Sequence, residues 1–143
     1  MMAKVFEDKM MEILKHSVSL CFDNVKDIEN VGKVFIMLWK EKKVSSPMYS
    51  YQIDQKWVKK HKASEYSKSM MSATLYELQA DLEKLEKLFT EADREFPTVF
   101  KAIYFPKTSN FTMNLEYDAI QEKTGEDISD YFDQWVEDNI GKL

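Results

Sequence analysis

Hydrophobic and polar residues alternate along the chain with two periods, one typical of helices and one typical of strands. Apolar residues recur every three or four positions in segments 3–22, 65–92 and 128–139, which predicts three amphipathic helices. The middle segment has the longest apolar stripe, formed by Met71, Leu75, Leu78, Leu82, Leu85 and Phe89. Such a stripe fits a helix that covers its own sheet or a coiled-coil seam. Because fewer than three heptads are present, the first interpretation is favoured.

Four segments have the composition and alternation of β-strands. They lie at 31–41, 48–53, 98–105 and 111–117. The first, VGKVFIMLWKE, is apolar on both faces, which predicts a central strand that is covered on both sides. The last two are separated by only about five residues, which predicts a hairpin. Residues 55–62 are expected to form a basic connector between the second strand and the long helix.

The predicted order of elements is α-β-β-α-β-β-α. This order indicates an α+β fold in which an antiparallel sheet packs against the long central helix. A chain of 143 residues is expected to form a single domain over 1–143. Its 44% apolar and 13% aromatic residues are enough to build a packed core.

The sequence carries no signal for export or for a membrane span. Cys21 is the only cysteine, so no internal disulfide can form. Charges occur throughout the N-terminal segment, unlike a signal peptide, and no apolar run approaches the roughly 20 residues that a spanning helix needs. These features predict a cytoplasmic protein that does not associate with membranes.

Charge is distributed unevenly along the chain. The segment from Lys33 to Lys62 holds eight lysines against two acids. The segment from Glu116 to Asp138 holds nine carboxylates against Lys123 alone, a net charge of −8. The overall net charge of −5 hides this division. A local field of this size influences association and the choice of partner rather than the fold.

No arrangement of residues in the sequence is typical of a catalytic or metal site. His16 and His61 lack the set of three or four spaced ligands that zinc requires. Cys21 falls on the apolar side of the first helix, where an inert thiol is expected. Glycine-rich phosphate loops and the common hydrolase motifs are absent from the sequence. The sequence therefore predicts a protein that is not an enzyme and needs no cofactor or metal.

The lysine-rich segment raises the question of nucleic-acid binding, because Trp39 and Trp57 lie among its lysines. The isoelectric point of about 5.1 and the absence of arginine from this segment argue against that function. A solvated sheet edge, where lysines prevent edge-to-edge pairing, is the favoured interpretation. No nucleic-acid partner is expected.

Four segments in the second half of the chain resemble a known family. The run YSYQID, the helix LYELQADLEKLEKLFTEA, the break EFPTVFKAIYF and the strand NFTMNLEYDAI are similar to the YezG-like family of immunity proteins. The resemblance covers about residues 49–120 and includes the aromatic–acid pair Tyr117-Asp118. It implies a cytoplasmic protein that binds and inhibits a cognate secreted toxin, often a nuclease.

The acidic segment fits such a role, because a nuclease keeps a basic cleft for phosphates and complementary charge accelerates association. The acids would steer the toxin, and the tyrosines would anchor it as aromatic hot spots. The predicted partner-binding residues are Glu116, Tyr117, Asp118, Glu122, Glu126, Asp127, Asp130, Tyr131 and Asp133.

Two alternatives stay open on the sequence alone. Tyr117, Phe132 and Trp135 fit core positions as well as they fit a binding surface, and the acids would then serve only solubility. The alternative function is a homo-oligomeric scaffold or adaptor without catalytic activity, using the Met71–Phe89 stripe as its interface. The expected state is a monomer or weak homodimer.

Overall fold

The computed structural model describes residues 2–26, 28–41, 44–59, 68–117 and 127–140. Within them lie three helices and five strands, an α+β architecture. In chain order they are α1 (Met2–Asp23), β1 (Val31–Glu41), β2 (Val44–Ile53), β3 (Lys56–Lys59), α2 (Lys68–Glu91), β4 (Val99–Phe105), β5 (Asn110–Glu116) and α3 (Ile128–Asn139). The predicted helices and four of these strands are confirmed to within a few residues.

The predicted order is wrong at one point, because a fifth strand, β3, occupies part of the expected connector at 55–62. Only four residues long, β3 has too few positions for its alternation to be recognised among lysines. The observed order is therefore α-β-β-β-α-β-β-α. Strand β2 also begins at Val44, earlier than predicted, because Pro47 is tolerated inside it.

All five strands form one antiparallel sheet in the order β3-β2-β1-β4-β5. The apolar strand β1 lies at its centre, as its sequence predicted. Pro47 lies opposite Leu38 of β1. The backbone N–H of Lys40 donates to the carbonyl of Thr98, so the backbone groups of Lys40 face β4. Because backbone N–H and C=O groups alternate in direction along a strand, those of Leu38 also face β4 and point away from β2. Pro47, the partner of Leu38, therefore has its nitrogen on the side of β2 that is away from β1.

Helices α1 and α2 cover one face of the sheet, called here the first face. Their apolar sides and the strands form a cluster in which Leu78, Leu82 and Leu85 of the predicted stripe are at most 1% exposed. The Tyr51 hydroxyl donates to the carbonyl of Cys21 at 2.6 Å. Burial raises the pKa of the Tyr51 phenol far above its usual range, and the nearby Cys21 raises it further. Because Leu78, Leu82 and Leu85 are buried, the predicted stripe is part of the chain's own core. Met71 lies outside the described side chains.

The shorter helix α3 covers the opposite, second face. Ile128, Phe132 and Val136 are buried against Phe35 and Met37 of β1. The sheet is therefore covered on both sides, which explains why β1 is apolar on both faces. None of the helices within the described residues is long and apolar enough to cross a bilayer.

Candidate functional site

Helix α3 combines a buried apolar side with an acidic outer side. Its N-cap is Asp127, whose carboxylate accepts a hydrogen bond from the backbone N–H of Ser129 at 2.8 Å. Asp130, Glu137 and Asp138 are exposed, and Asp133 is half-buried. The helix contains no lysine or arginine, so nothing within it offsets these charges.

The end of the helix is acidic where helix electrostatics favour a base. The C-terminal end of a helix carries partial negative charge, and Glu137 and Asp138 add more to the last turn of α3. One compensation comes from β1, because the Lys33 ammonium donates to the carbonyl of Asn139 at 2.6 Å. Lys33 is only 5% exposed, and its contact fixes the end of α3 to the sheet.

A polar cluster joins the middle of α3 to strands β4 and β5. The Lys101 ammonium lies 2.6 Å from the Glu116 carboxylate, and the Tyr131 hydroxyl donates to the same carboxylate at 2.5 Å. Lys101 also donates to the Tyr131 oxygen at 3.3 Å. Glu116 is therefore paired with a lysine, and a side chain of α3 contacts a side chain of the edge strand β5.

An open groove of about 410 Å³ runs beside this cluster. Its lining includes two acids, Asp130 and Asp138, which are about two helical turns apart on α3, with Gln134 between them. The rings of Tyr131 and Trp135 and the Lys101 side chain complete the lining. The Lys101 ammonium lies 5.4 Å from the Tyr131 ring centroid and 5.9 Å from that of Trp135, which is typical of cation–π contacts. One ammonium group of the chain thus already lies against the two aromatic rings of the groove.

The structure brings some of the predicted binding residues together. Glu116 and Tyr131 touch, while Asp130 and Asp133 lie on the same helix as Tyr131. Tyr117 follows β5 directly and is 50% exposed, so it is not a core residue. The predicted residues Asp118, Glu122 and Glu126 lie outside the described residues, as does Lys123.

The sequence left open whether Phe132 and Trp135 belong to the core or to a binding surface, and the structure packs both against the sheet. Phe132 is 6% exposed, which confirms a core role. Trp135 is half-buried and packs edge-on against Phe35 at a centroid distance of 5.6 Å, yet it also lines the groove. Trp39, which prompted the nucleic-acid alternative, is only 2% exposed and therefore offers no stacking surface.

Sequence reasoning missed the two lysines that position α3. Lys101 is the only charged residue of β4, and six apolar residues separate Lys33 from the other charged residues of β1, Lys40 and Glu41. An isolated lysine in a strand covered on both faces signals a buried partner, because an unpaired buried ammonium is unfavourable. That signal was available in the sequence, although the identity of each partner was not.

A second polar cluster, also missed, ties α1 to α2 on the first face. Asp81 is 1% exposed, and its carboxylate accepts hydrogen bonds from His16 Nδ1 at 2.8 Å and from the Ser17 hydroxyl at 2.8 Å. The serine donates to the carboxylate rather than to the imidazole, which differs from the nucleophile–base–acid order of a catalytic triad. This cluster therefore acts as a tie between the helices. His61 lies outside the described residues.

The described residues contain no group of three histidine, cysteine or acidic side chains placed to hold a metal ion. No family model matches the chain, and no significant match is found among curated proteins. The resemblance to immunity proteins thus stays a prediction.

Proposed function

We propose that this chain is an immunity protein, which binds a cognate secreted toxin through the acidic side of α3 and thereby inhibits it. The observation that carries the proposal is the set of exposed carboxylates on α3, above all Glu137 and Asp138 in its last turn. Acids at a helix C-terminus oppose the helix dipole, so folding does not account for them. Recognition of a basic partner would account for these acids.

The half-buried aromatic residues beside the acids support the same function. Tyr131 and Trp135 line the groove between Asp130 and Asp138, an arrangement suited to the aliphatic stem and charged end of a lysine or arginine. A nuclease that binds phosphates presents such side chains around its cleft. The toxin is therefore a basic protein, in this proposal a nuclease.

The scaffold alternative receives no specific support. Its proposed interface, the stripe on α2, lies in the chain's own core, where Leu78, Leu82 and Leu85 are buried. A homo-oligomer would have to use another surface.

The test is the association rate with the toxin domain encoded beside this gene. Reversing Asp130, Glu137 and Asp138 to lysine removes the negative potential while keeping the N-cap Asp127. We expect association to slow by at least tenfold at low salt, with a much weaker dependence on salt. The matched control reverses Glu77, Glu83 and Glu91, which are exposed acids on α2. Equal effects of the two triple variants would contradict the proposal.

A further inference from the structure

The sheet has three stretches whose outer backbone is not paired with another described strand. One is the outer side of β3, and the second is the part of β2 that extends beyond β3, from Val44 to Tyr49. The third is the outer side of β5. Open edges can pair with a strand of another chain, so proteins usually block them.

The first two stretches are blocked. Strand β3 has only four residues, and Lys56 and Lys59 stand at its two ends. In β2, Pro47 lies beyond the end of β3 with its nitrogen on the open side, where it removes a hydrogen-bond donor from the edge. Short length, lysine and proline are each common means of preventing edge pairing.

Strand β5 has none of these protections. Its seven residues, NFTMNLE, span roughly 23 Å and include no lysine, arginine or proline. The only charged residue, Glu116, is paired with Lys101. This edge is as long as a typical pairing strand and presents no charge that would repel an incoming backbone.

The register identifies the backbone groups that are available on this edge. The backbone groups of Lys40 face Thr98, so the backbone groups of Thr98 and of every second residue after it in β4 face β1. The backbone groups of the residues between them face β5; these residues are Val99, Lys101, Ile103 and Phe105. Their partners on β5 face inward, and the Glu116 carbonyl does accept from the Thr98 N–H at 2.7 Å. The outward-facing N–H and C=O groups therefore belong to Phe111, Met113 and Leu115.

The two faces beside this edge differ in chemistry. On the first face, Phe111, Met113 and Leu115 are half-buried, so their apolar side chains are partly uncovered. On the second face, which carries α3 with its acids, Thr112 and Asn114 are exposed. The 2.5 Å contact between the Tyr131 hydroxyl and the Glu116 carboxylate shows that side chains of α3 and β5 meet in the space between them.

We propose that the outer edge of β5 pairs with an extended strand of the partner, in which apolar residues alternate with lysine or arginine. The apolar residues cover Phe111, Met113 and Leu115, and the basic residues reach the acids of α3. That this partner is the toxin rests on the proposed function. The pairing surface itself can be tested without the toxin.

The probe is a capped heptapeptide of alternating valine and lysine, titrated into the full chain labelled with ¹⁵N. We expect amide chemical-shift changes at Phe111, Met113 and Leu115, together with changes on α3. Two control peptides separate the contributions: alternating valine and glutamate keeps the strand propensity but reverses the charge, and a block of four valines followed by three lysines keeps the composition but not the alternation. Both controls should bind at least tenfold more weakly.

The matched variants are Met113→Pro and Met113→Ala. Both remove the methionine side chain, but only proline removes the outward N–H, and proline is tolerated at such edge positions. We expect the proline variant to bind the alternating peptide about tenfold more weakly than the alanine variant, the loss expected for about one hydrogen bond. If the proline variant does not fold, amide exchange of the natural chain gives the same information: the peptide should slow exchange at Met113 and leave Thr112 unchanged.

Edge pairing is overturned if the peptide shifts only α3, if the block peptide binds as well as the alternating one, or if no outward β5 amide responds. The proposed function would survive these results, because it depends on the toxin and on the acids of α3. Conversely, edge binding of the peptide combined with toxin association that ignores the α3 reversals would support the pairing surface and contradict the proposed function.

Discussion

The two faces of the sheet are covered in different ways. On the first face, two helices of 22 and 24 residues enclose a cluster with 18 buried apolar residues among those described. On the second face, one helix of 12 residues covers a cluster of nine, and Lys33 and Lys101 provide polar contacts to it. Burial of apolar area is the main source of stability, so the first face should dominate folding. The second face has a smaller buried cluster under a shorter helix, so α3 should separate from the sheet more easily than α1 or α2 does.

The largest difference in unfolding free energy is expected between alanine variants of one aromatic residue from each face. Phe89 is 3% exposed and packs edge-on against Phe6 at 4.8 Å and Phe96 at 5.3 Å. Phe89→Ala should lower the free energy of unfolding by about 3–5 kcal/mol in urea titrations. Phe132→Ala should cost about half as much, because α3 can separate from the sheet without unfolding the first face. Equal losses for the two variants would show that both faces unfold as one unit.

A smaller difference is expected between the polar clusters of the two faces. Asp81→Ala leaves the buried Ser17 hydroxyl without its carboxylate partner and should cost about 2 kcal/mol. Glu116→Ala should cost about 1 kcal/mol or less, because the Glu116 side chain is 39% exposed and water can replace it. Thermal unfolding measures both, with exposed Glu83→Ala as the control that should change little. A larger loss for Glu116 than for Asp81 would reverse the comparison.

The smallest expected change in stability is a gain rather than a loss. Changing Glu137 to Gln and Asp138 to Asn removes two negative charges from the last turn of α3, which should raise the free energy of unfolding by a few tenths of a kcal/mol to about 1 kcal/mol. Under the proposed function, the same double variant should also bind the toxin more slowly. Asp127→Ala is the informative contrast: it loses the N-cap of the same helix and should destabilise by about 1 kcal/mol. Destabilisation by the double variant would mean that these acids serve the fold.

Much of the fold could be predicted from the sequence because its periodic segments are long. The apolar run of β1 specified a strand covered on both faces, and the leucine spacing of α2 specified its buried side. Strand β3 escaped prediction because four residues carry almost no periodicity. The acidic side of α3 was evident from composition, whereas its contacts depend on residues far apart in the chain: Lys101 and Glu116 meet Tyr131 only after the strands pair. His16 and Asp81, 65 positions apart, meet only when α1 packs against α2.

Pro47 has a consequence for how the chain avoids misfolding. Shifting β2 by one residue along β1 would turn the proline nitrogen towards the central strand, where a donor is needed and none exists. The same shift would move the phenols of Tyr49 and Tyr51 from the interior of the first face to the side that α3 occupies. A one-residue slip between these two strands therefore disrupts both the hydrogen bonds and the packing. The missing N–H of Pro47 thus helps to set the register of β2 on β1 when the sheet assembles.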